Sequence, residues 1–193
     1  MRIRYAAVLV AATMALGACG TAPEVAAPVT AVAEVKAEGE HNDTDVMYLQ
    51  MMVAHHQQGL EMVKLAASDA KRPEIRVLAE AVDATQSDEL TMMKGWLKDW
   101  SAPETVDHAP SAHADHGGLP ATGPEEIAAL RRTKGSTFDA TFLNLFVAHQ
   151  HNAVEMAALE AQKGVNAETK AFAERVRLSR TDQIQQMLQL LNG

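Results

Sequence analysis

The sequence predicts an all-α protein, a four-helix bundle built from two copies of one helical hairpin. Three observations carry that prediction. Sliding the chain against itself by 94 positions aligns Asp45–Leu97 with Asp139–Leu191 without a gap, and identical pairs run its whole length: Asp45/Asp139, Leu49/Leu143, Val53/Val147, His55/His149, Met62/Met156, Glu74/Glu168, Val82/Val176, Met93/Met187 and Leu97/Leu191 among them. Apolar residues recur at helical spacing through two segments of each copy. Strand-like alternation is missing. A hairpin of two helices cannot bury both its apolar faces alone, so two copies are expected to pack around a pseudo-twofold axis.

In chain order, Arg2 and Arg4 precede an apolar run from Tyr5 to Leu16 that ends on Leu16-Gly17-Ala18-Cys19. The run is too short to span a bilayer and reads as a signal peptide over residues 1–18, with small residues before a cysteine that resemble a bacterial lipobox. Cys19, the only cysteine, is expected to become an acylated N-terminus, leaving no thiol for disulfides or catalysis. Residues 19–42, rich in Ala, Val, Pro and Glu, are expected to be a flexible tether without fold. One bundle domain follows over 43–193, with a first repeat at 43–100, a linker at 101–135 and a second repeat at 136–193.

Helices are expected near 44–69, 73–99, 137–163 and 167–191. Pro73 suits a first helical turn, and Gly164 followed by Asn166 a stop and restart. Asp45 and Asp139 fall near helix starts, where a carboxylate caps free amides and suits the positive end of the dipole. The linker, with Pro103, Pro110, Gly117, Gly118, Pro120 and Gly123, reads as an exposed crossover interrupted by a short helix near Glu125–Arg132.

Removing Arg2 and Arg4 from 17 Lys+Arg leaves 15 against 25 Asp+Glu, a formal charge of −10. That balance argues against a nucleic-acid partner. No His-Glu-x-x-His, phosphate-binding glycine loop, Gly-x-Ser-x-Gly or helical Glu-x-x-His occurs, so no enzyme class is nominated and a ferritin-type di-iron centre is disfavoured.

Along the first helix, Met47, Met51, His55, Gln58 and Met62 fall within about 80° of one another, and His56 borders the same apolar arc. The second copy keeps His149 and Met156 but has Leu145 for Met51 and Gln150 for His56. About the pseudo-twofold, His55, Met62, His149 and Met156 are expected to converge as two imidazoles and two thioethers, a thiolate-free soft set suited to Cu(I). Such methionines alternatively serve as core filler, and a lone interior histidine as a hydrogen-bonded core residue. His151 and Glu155, four residues apart, are expected to form a surface hydrogen bond rather than a metal site. In the linker, His108, His113 and His116 with Asp107 and Asp115 form a second concentration of ligands, either a loose site for Cu(II), Zn(II) or Ni(II) or a solvated loop.

The string Asp45-Val-Met-Tyr-Leu-Gln-Met-Met-Val-Ala-His-His-Gln-Gln-Gly-Leu-Glu-Met62, with Glu89-Leu-Thr-Met-Met-Lys-Gly-Trp-Leu97, resembles the hallmark of the domain-of-unknown-function 305 family. The resemblance covers about residues 43–191. It implies a ferritin-like helical bundle and, from some relatives, copper binding in the periplasm. Matched by position, it implies Met52, His55, His56, Met62, His149 and Met156 as candidate ligands. This chain departs from the family pattern at His149-Gln150-His151 and at Phe146, opposite Met52, so His151 is a substitute ligand only through a local change of register.

These readings lead to a lipid-anchored envelope protein, on a periplasmic or extracellular face, that buffers or sequesters copper without catalysis. Its expected partners are the metal ion and, through Cys19, a membrane. A structural or protein-interaction module of the envelope is the alternative, and a copper-dependent oxidase a third.

Overall fold

The computed structural model describes residues 35–105 and 122–192, all of whose regular structure is helical. The signal peptide, Cys19, and the linker residues His108, His113 and His116 lie outside the described residues. Helix α1 spans Asp43–Asp69, α2 Pro73–Asp99, α3 Pro124–Arg132, α4 Phe138–Lys163 and α5 Ala167–Asn192. The four long helices therefore sit within two residues of their expected limits. A 3-10 turn, Gly135–Thr137, leads into α4.

Local chemistry sets the boundaries. Asn42 accepts hydrogen bonds from the Thr44 and Asp45 amides, and Asp45 returns the favour to the Asn42 amide, a capping box that starts α1. Asn166 caps α5 in the same way through Glu168 N–H and Thr169 N–H. Pro73 opens α2, where no side chain of its own hairpin caps the helix.

The turn that leads into α2 is instead held from the other repeat. Asp139 of α4 accepts from the amides of Lys71 (2.8 Å) and Arg72 (3.0 Å). Asp45 of α1 accepts from Val165 (3.2 Å) and Asn166 (3.0 Å), the residues 94 positions further on. Each repeat thus clasps the turn of its twin. Both aspartates do meet helix-start amides, as expected, but chiefly across the bundle. The clasps also fix the packing: the start of α1 lies at the end of α4 and the start of α4 at the end of α1, so this central pair runs antiparallel.

Helix α1 packs on α2 and α4, α4 packs on α5, and α3 lies against both α1 and α4. The apolar core falls into two clusters. One holds Met62, Ile75, Phe138, Phe142, Phe146 and Met187; the other holds Tyr48, Met51, Met52, Met93, Trp96, Met156 and Phe172. The twofold exchanges them, since Phe142 corresponds to Tyr48, Phe146 to Met52 and Met187 to Met93.

The end of the tether is not free. Trp96 and Trp100 donate indole N–H bonds to the carbonyls of Val35 (2.7 Å) and Ala37 (2.9 Å), and Asn166 donates to those of Glu38 and Glu40. His41 stacks on Trp100. Buried indole N–H groups need acceptors, and the backbone of residues 35–37 supplies them. Residues 35–42 therefore lie on the bundle, whereas composition alone suggested flexibility.

Candidate metal centre

Between the two apolar clusters lies a belt of fully buried polar side chains: His55, His56, Gln86, His149, Gln150 and Arg180. His55 and His149, equivalent residues of the two repeats, stack face to face across the α1–α4 seam with ring centroids 3.6 Å apart and planes 12° apart. Gly59 makes room beside them, because a Cβ there would lie 2.5 Å from Gln86 Oε1 and 3.0 Å from His149 Nε2.

The hydrogen bonds assign the imidazole protons of His55 and His56. His55 Nε2–H donates to the carbonyl of His149 at 2.9 Å, which leaves Nδ1 with a lone pair and no partner. His56 Nε2–H donates to Glu89 Oε2 at 2.7 Å, and its Nδ1 is likewise unpartnered. His149 pairs through Nδ1 with the Thr122 hydroxyl at 3.2 Å and leaves Nε2 alone. Buried polar atoms are nearly always partnered. Three imidazole nitrogens without partners in one belt call for an explanation.

Their charge state is set by burial. Burial pushes His149 down to about 3, aided by the positive charge of Arg180 and by His56. Burial, with His149 and His56 nearby, holds His55 well below its ordinary value. Burial lowers His56 as well, against the pull of Glu89. All three imidazoles stay neutral, which is the ligating form. Arg180 pairs with Glu89, so the belt carries one compensated ion pair. In Glu89 burial alone would raise the carboxyl, but the His56 bond and the Arg180 charge outweigh it and keep it ionised.

The two halves of the belt differ in chemistry at equivalent positions. His56, Glu89 and Arg180 correspond to Gln150, Gln183 and Gln86, and Gln150 donates to Gln183 as His56 does to Glu89. A charged cluster on one side of the axis faces an uncharged amide set on the other.

The methionines do not join the histidines. Met62 lies with Phe142 and Phe146 in one cluster and Met156 with Tyr48 and Met51 in the other. The reason is the antiparallel seam. Seven residues of helix are about 10 Å, so the twofold that superposes His55 on His149 sends Met62 and Met156 to opposite ends, about 20 Å apart. The expected four-residue convergence is therefore corrected to a pair of imidazoles with His56 adjacent, its ring 6.1 Å from that of His55. Met51 and Met52 are buried at the Met156 end. His151 and Glu155 are both exposed, and no hydrogen bond joins them among the described residues. Gln150 takes the buried position beside His149, so α4 makes no register change that turns His151 inward.

The model for the domain of unknown function DUF305 matches residues 45–191. The chain belongs to the DUF305 family. Among solved structures, a DUF305 protein of Streptomyces coelicolor described as secreted is similar at 26% identity and a TM-score of 0.70, covering 77% of this chain and 91% of that one. A DUF305 fragment from Deinococcus radiodurans shares the fold at 21% identity and a TM-score of 0.69, over 80% of this chain and 99% of that one. CopM in the Cu(II)-bound form is similar at 25% identity and a TM-score of 0.62, over 77% of this chain and 96% of that one. CopM is also solved in a Cu(I)-bound form and in Ag-bound forms. No curated protein matches this sequence.

Within this DUF305 bundle, sequence reasoning missed Glu89, Arg180, Gln86, Gln183 and Thr122 as neighbours of the imidazoles. A signal was present. Comparing the repeats for positions where one copy is charged or an imidazole and the other an amide gives six pairs, of which His56/Gln150, Glu89/Gln183 and Arg180/Gln86 are three. Two of those three lie on the second helix of each hairpin, away from the His-His string.

Proposed function

We propose that this DUF305 chain is an exported, lipid-anchored envelope protein that binds copper for buffering or sequestration and catalyses no reaction. The observation that carries the reading is the set of three neutral, unpartnered imidazole nitrogens, His55 Nδ1, His56 Nδ1 and His149 Nε2, at the centre of a bundle similar to CopM. Neutral imidazoles without a thiolate suit Cu(I) and also accept Cu(II). Because the His55 and His149 planes are nearly parallel, in-plane lone pairs on the two rings cannot converge on one ion, and an ion shared by both requires one ring to leave the stack. Export and anchoring rest on the Arg2-to-Cys19 signature, and the Streptomyces coelicolor relative described as secreted supports export.

The test is an anaerobic Cu(I) titration against a competing chromogenic chelator, comparing wild type with His55→Phe/His149→Phe, which keeps two stacked rings without nitrogen. The expected result is that the variant competes for one equivalent of Cu(I) fewer than wild type. A structural reading is favoured by one observation, the parallel stack itself with its bond to the His149 carbonyl, which by itself ties α1 to α4. Failure of the wild type to compete would leave that reading, a scaffold for an envelope partner, in place of copper binding.

A further inference from the structure

Where α1 begins and α4 ends, a cavity of about 10 Å³ is lined by Thr44, Met47, Tyr48, Met51, Met156 and Glu160. Its size is that of one water or one bare ion. Met47 and Met51 stand one turn apart on α1, and Met156 and Glu160 one turn apart on α4, so two i, i+4 pairs on antiparallel helices face each other across it. Two polar groups at this wall are buried: the Tyr48 hydroxyl, which has no partner, and the Glu160 carboxyl, which faces that of Asp45.

The opposite end of the bundle supplies an internal comparison. The equivalent positions there are Thr141 for Met47, Phe142 for Tyr48, Leu145 for Met51 and Ala66 for Glu160, with Met62 for Met156. Met62, Ala66 and Phe142 belong to the other apolar cluster and Leu145 packs against it, while the Thr141 hydroxyl bonds to the Thr137 carbonyl. Filling this place in the fold therefore needs neither three thioethers nor a carboxyl and a phenol. Their concentration at one end of a duplicated bundle is a departure that packing does not require.

We propose that Met47, Met51 and Met156 form a second, separate site for a soft monovalent cation, Cu(I) or Ag(I), with the Glu160 carboxyl and Tyr48 hydroxyl lining it. Thioethers select such ions over Zn(II), Ca(II) or Mg(II), which prefer nitrogen or oxygen donors. The site deepens the copper-binding reading but uses none of the belt imidazoles, so the two stand or fall separately.

The experiment labels the methionine methyl groups of the full chain with 13C and adds Ag(I), with signals assigned from single Met→Leu variants. By two equivalents the Met47, Met51 and Met156 methyls shift together while Met62, Met93 and Met187 stay in place, and Zn(II) moves none of them. Met47→Leu/Met51→Leu/Met156→Leu, checked for helicity by circular dichroism, weakens Ag(I) binding at least about tenfold. In His55→Phe/His149→Phe the three methyl shifts persist. Methyls that do not move in wild type, or a triple variant that binds as wild type does, overturn the pocket. A His variant that binds Cu(I) unchanged while the methyls still shift overturns the imidazole reading alone.

Discussion

Replacing Glu160 by Gln should stabilise the protein, and by an amount that depends on pH in a defined way. Glu160 is fully buried at the end of α4 beside Asp45, close to Gly164, where a side chain would collide with both carboxyls. Burial, and then Asp45, raise the Glu160 carboxyl from 4.5 to about 8. In Asp45 burial pulls upward too, but the bonds from Glu160 and from the Asn42, Asn166 and Val165 amides outweigh it and hold the group ionised. At neutral pH the pair therefore shares one proton, which Glu160 keeps. Unfolding releases that proton, because a free carboxyl titrates near 4.5. A raised folded value gives stability that is fully present below 4.5 and is lost as pH rises toward 8. At 1.36 kcal/mol per unit, the 2.5 units between 4.5 and pH 7 amount to about 3 kcal/mol of penalty that Gln, neutral in both states and able to donate to Asp45, does not incur. Urea unfolding at pH 5, 6, 7 and 8 would show the variant gaining on wild type by about 1.4 kcal/mol per unit, from less than about 1 kcal/mol at pH 5. A difference that is constant across this range would refute the shared proton.

Histidine titration runs the other way: His149, depressed to about 3, makes stability full above about 6.5 and lost as pH falls below it, so His149→Phe should flatten the acid limb of the unfolding curve by up to about 1.4 kcal/mol per unit. Asp139→Asn exchanges one amide acceptor for a donor at the Lys71 and Arg72 amides and should cost about 1–3 kcal/mol in denaturant unfolding, and Asp45→Asn at least as much, since Asp45 also caps its own helix. Arg180→Gln strands the Glu89 carboxylate and should cost about 3–5 kcal/mol, whereas His56→Gln/Glu89→Gln/Arg180→Gln rebuilds the amide set of the other half and should recover most of it; equal losses in the two proteins would contradict the symmetry argument. Thr141→Met/Leu145→Met adds two thioethers to that of Met62 and should bring one further equivalent of Ag(I) into the protein, read by a shift of the Met62 methyl that wild type lacks.

The helices and their pairing were legible because duplication writes them twice. Asp45/Asp139, His55/His149 and Val82/Val176 recur at one offset, and the 3.6-residue period of the apolar positions gives the helix limits almost to the residue. The imidazole pair was legible for the same reason, since a residue on the axis meets its own copy. The methionines were not. Met62 and Met156 share a stripe with the histidines on a helical wheel, but a wheel discards height along the helix and cannot distinguish parallel from antiparallel neighbours. The clasps from Asp45 and Asp139 decide that, and each requires a contact between residues far apart in the chain. The docked segment 35–42 escaped for a related reason: composition registers Ala, Val and Glu, while what orders them is the need of Trp96 and Trp100 for carbonyl acceptors.

The twofold also constrains where a duplicated bundle can build a single site. Two placements are available. On the axis, a residue and its copy meet, which gives one site drawing equally on both repeats and changed by mutation in either; His55 and His149 occupy that position. Away from the axis, every contact between α1 and α4 occurs twice, once at each end, until one copy diverges. Met47, Tyr48, Met51 and Glu160 at one end, against Thr141, Phe142, Leu145 and Ala66 at the other, are that divergence. The belt shows both behaviours at once, keeping the axial histidines while His56, Glu89 and Arg180 became, or arose from, amides on the opposite side. An ancestral pair of identical hairpins would hold either no end pocket or two. Retaining one makes the two ends chemically distinct, and the distinct end is the one at which residues 35–42 are bound.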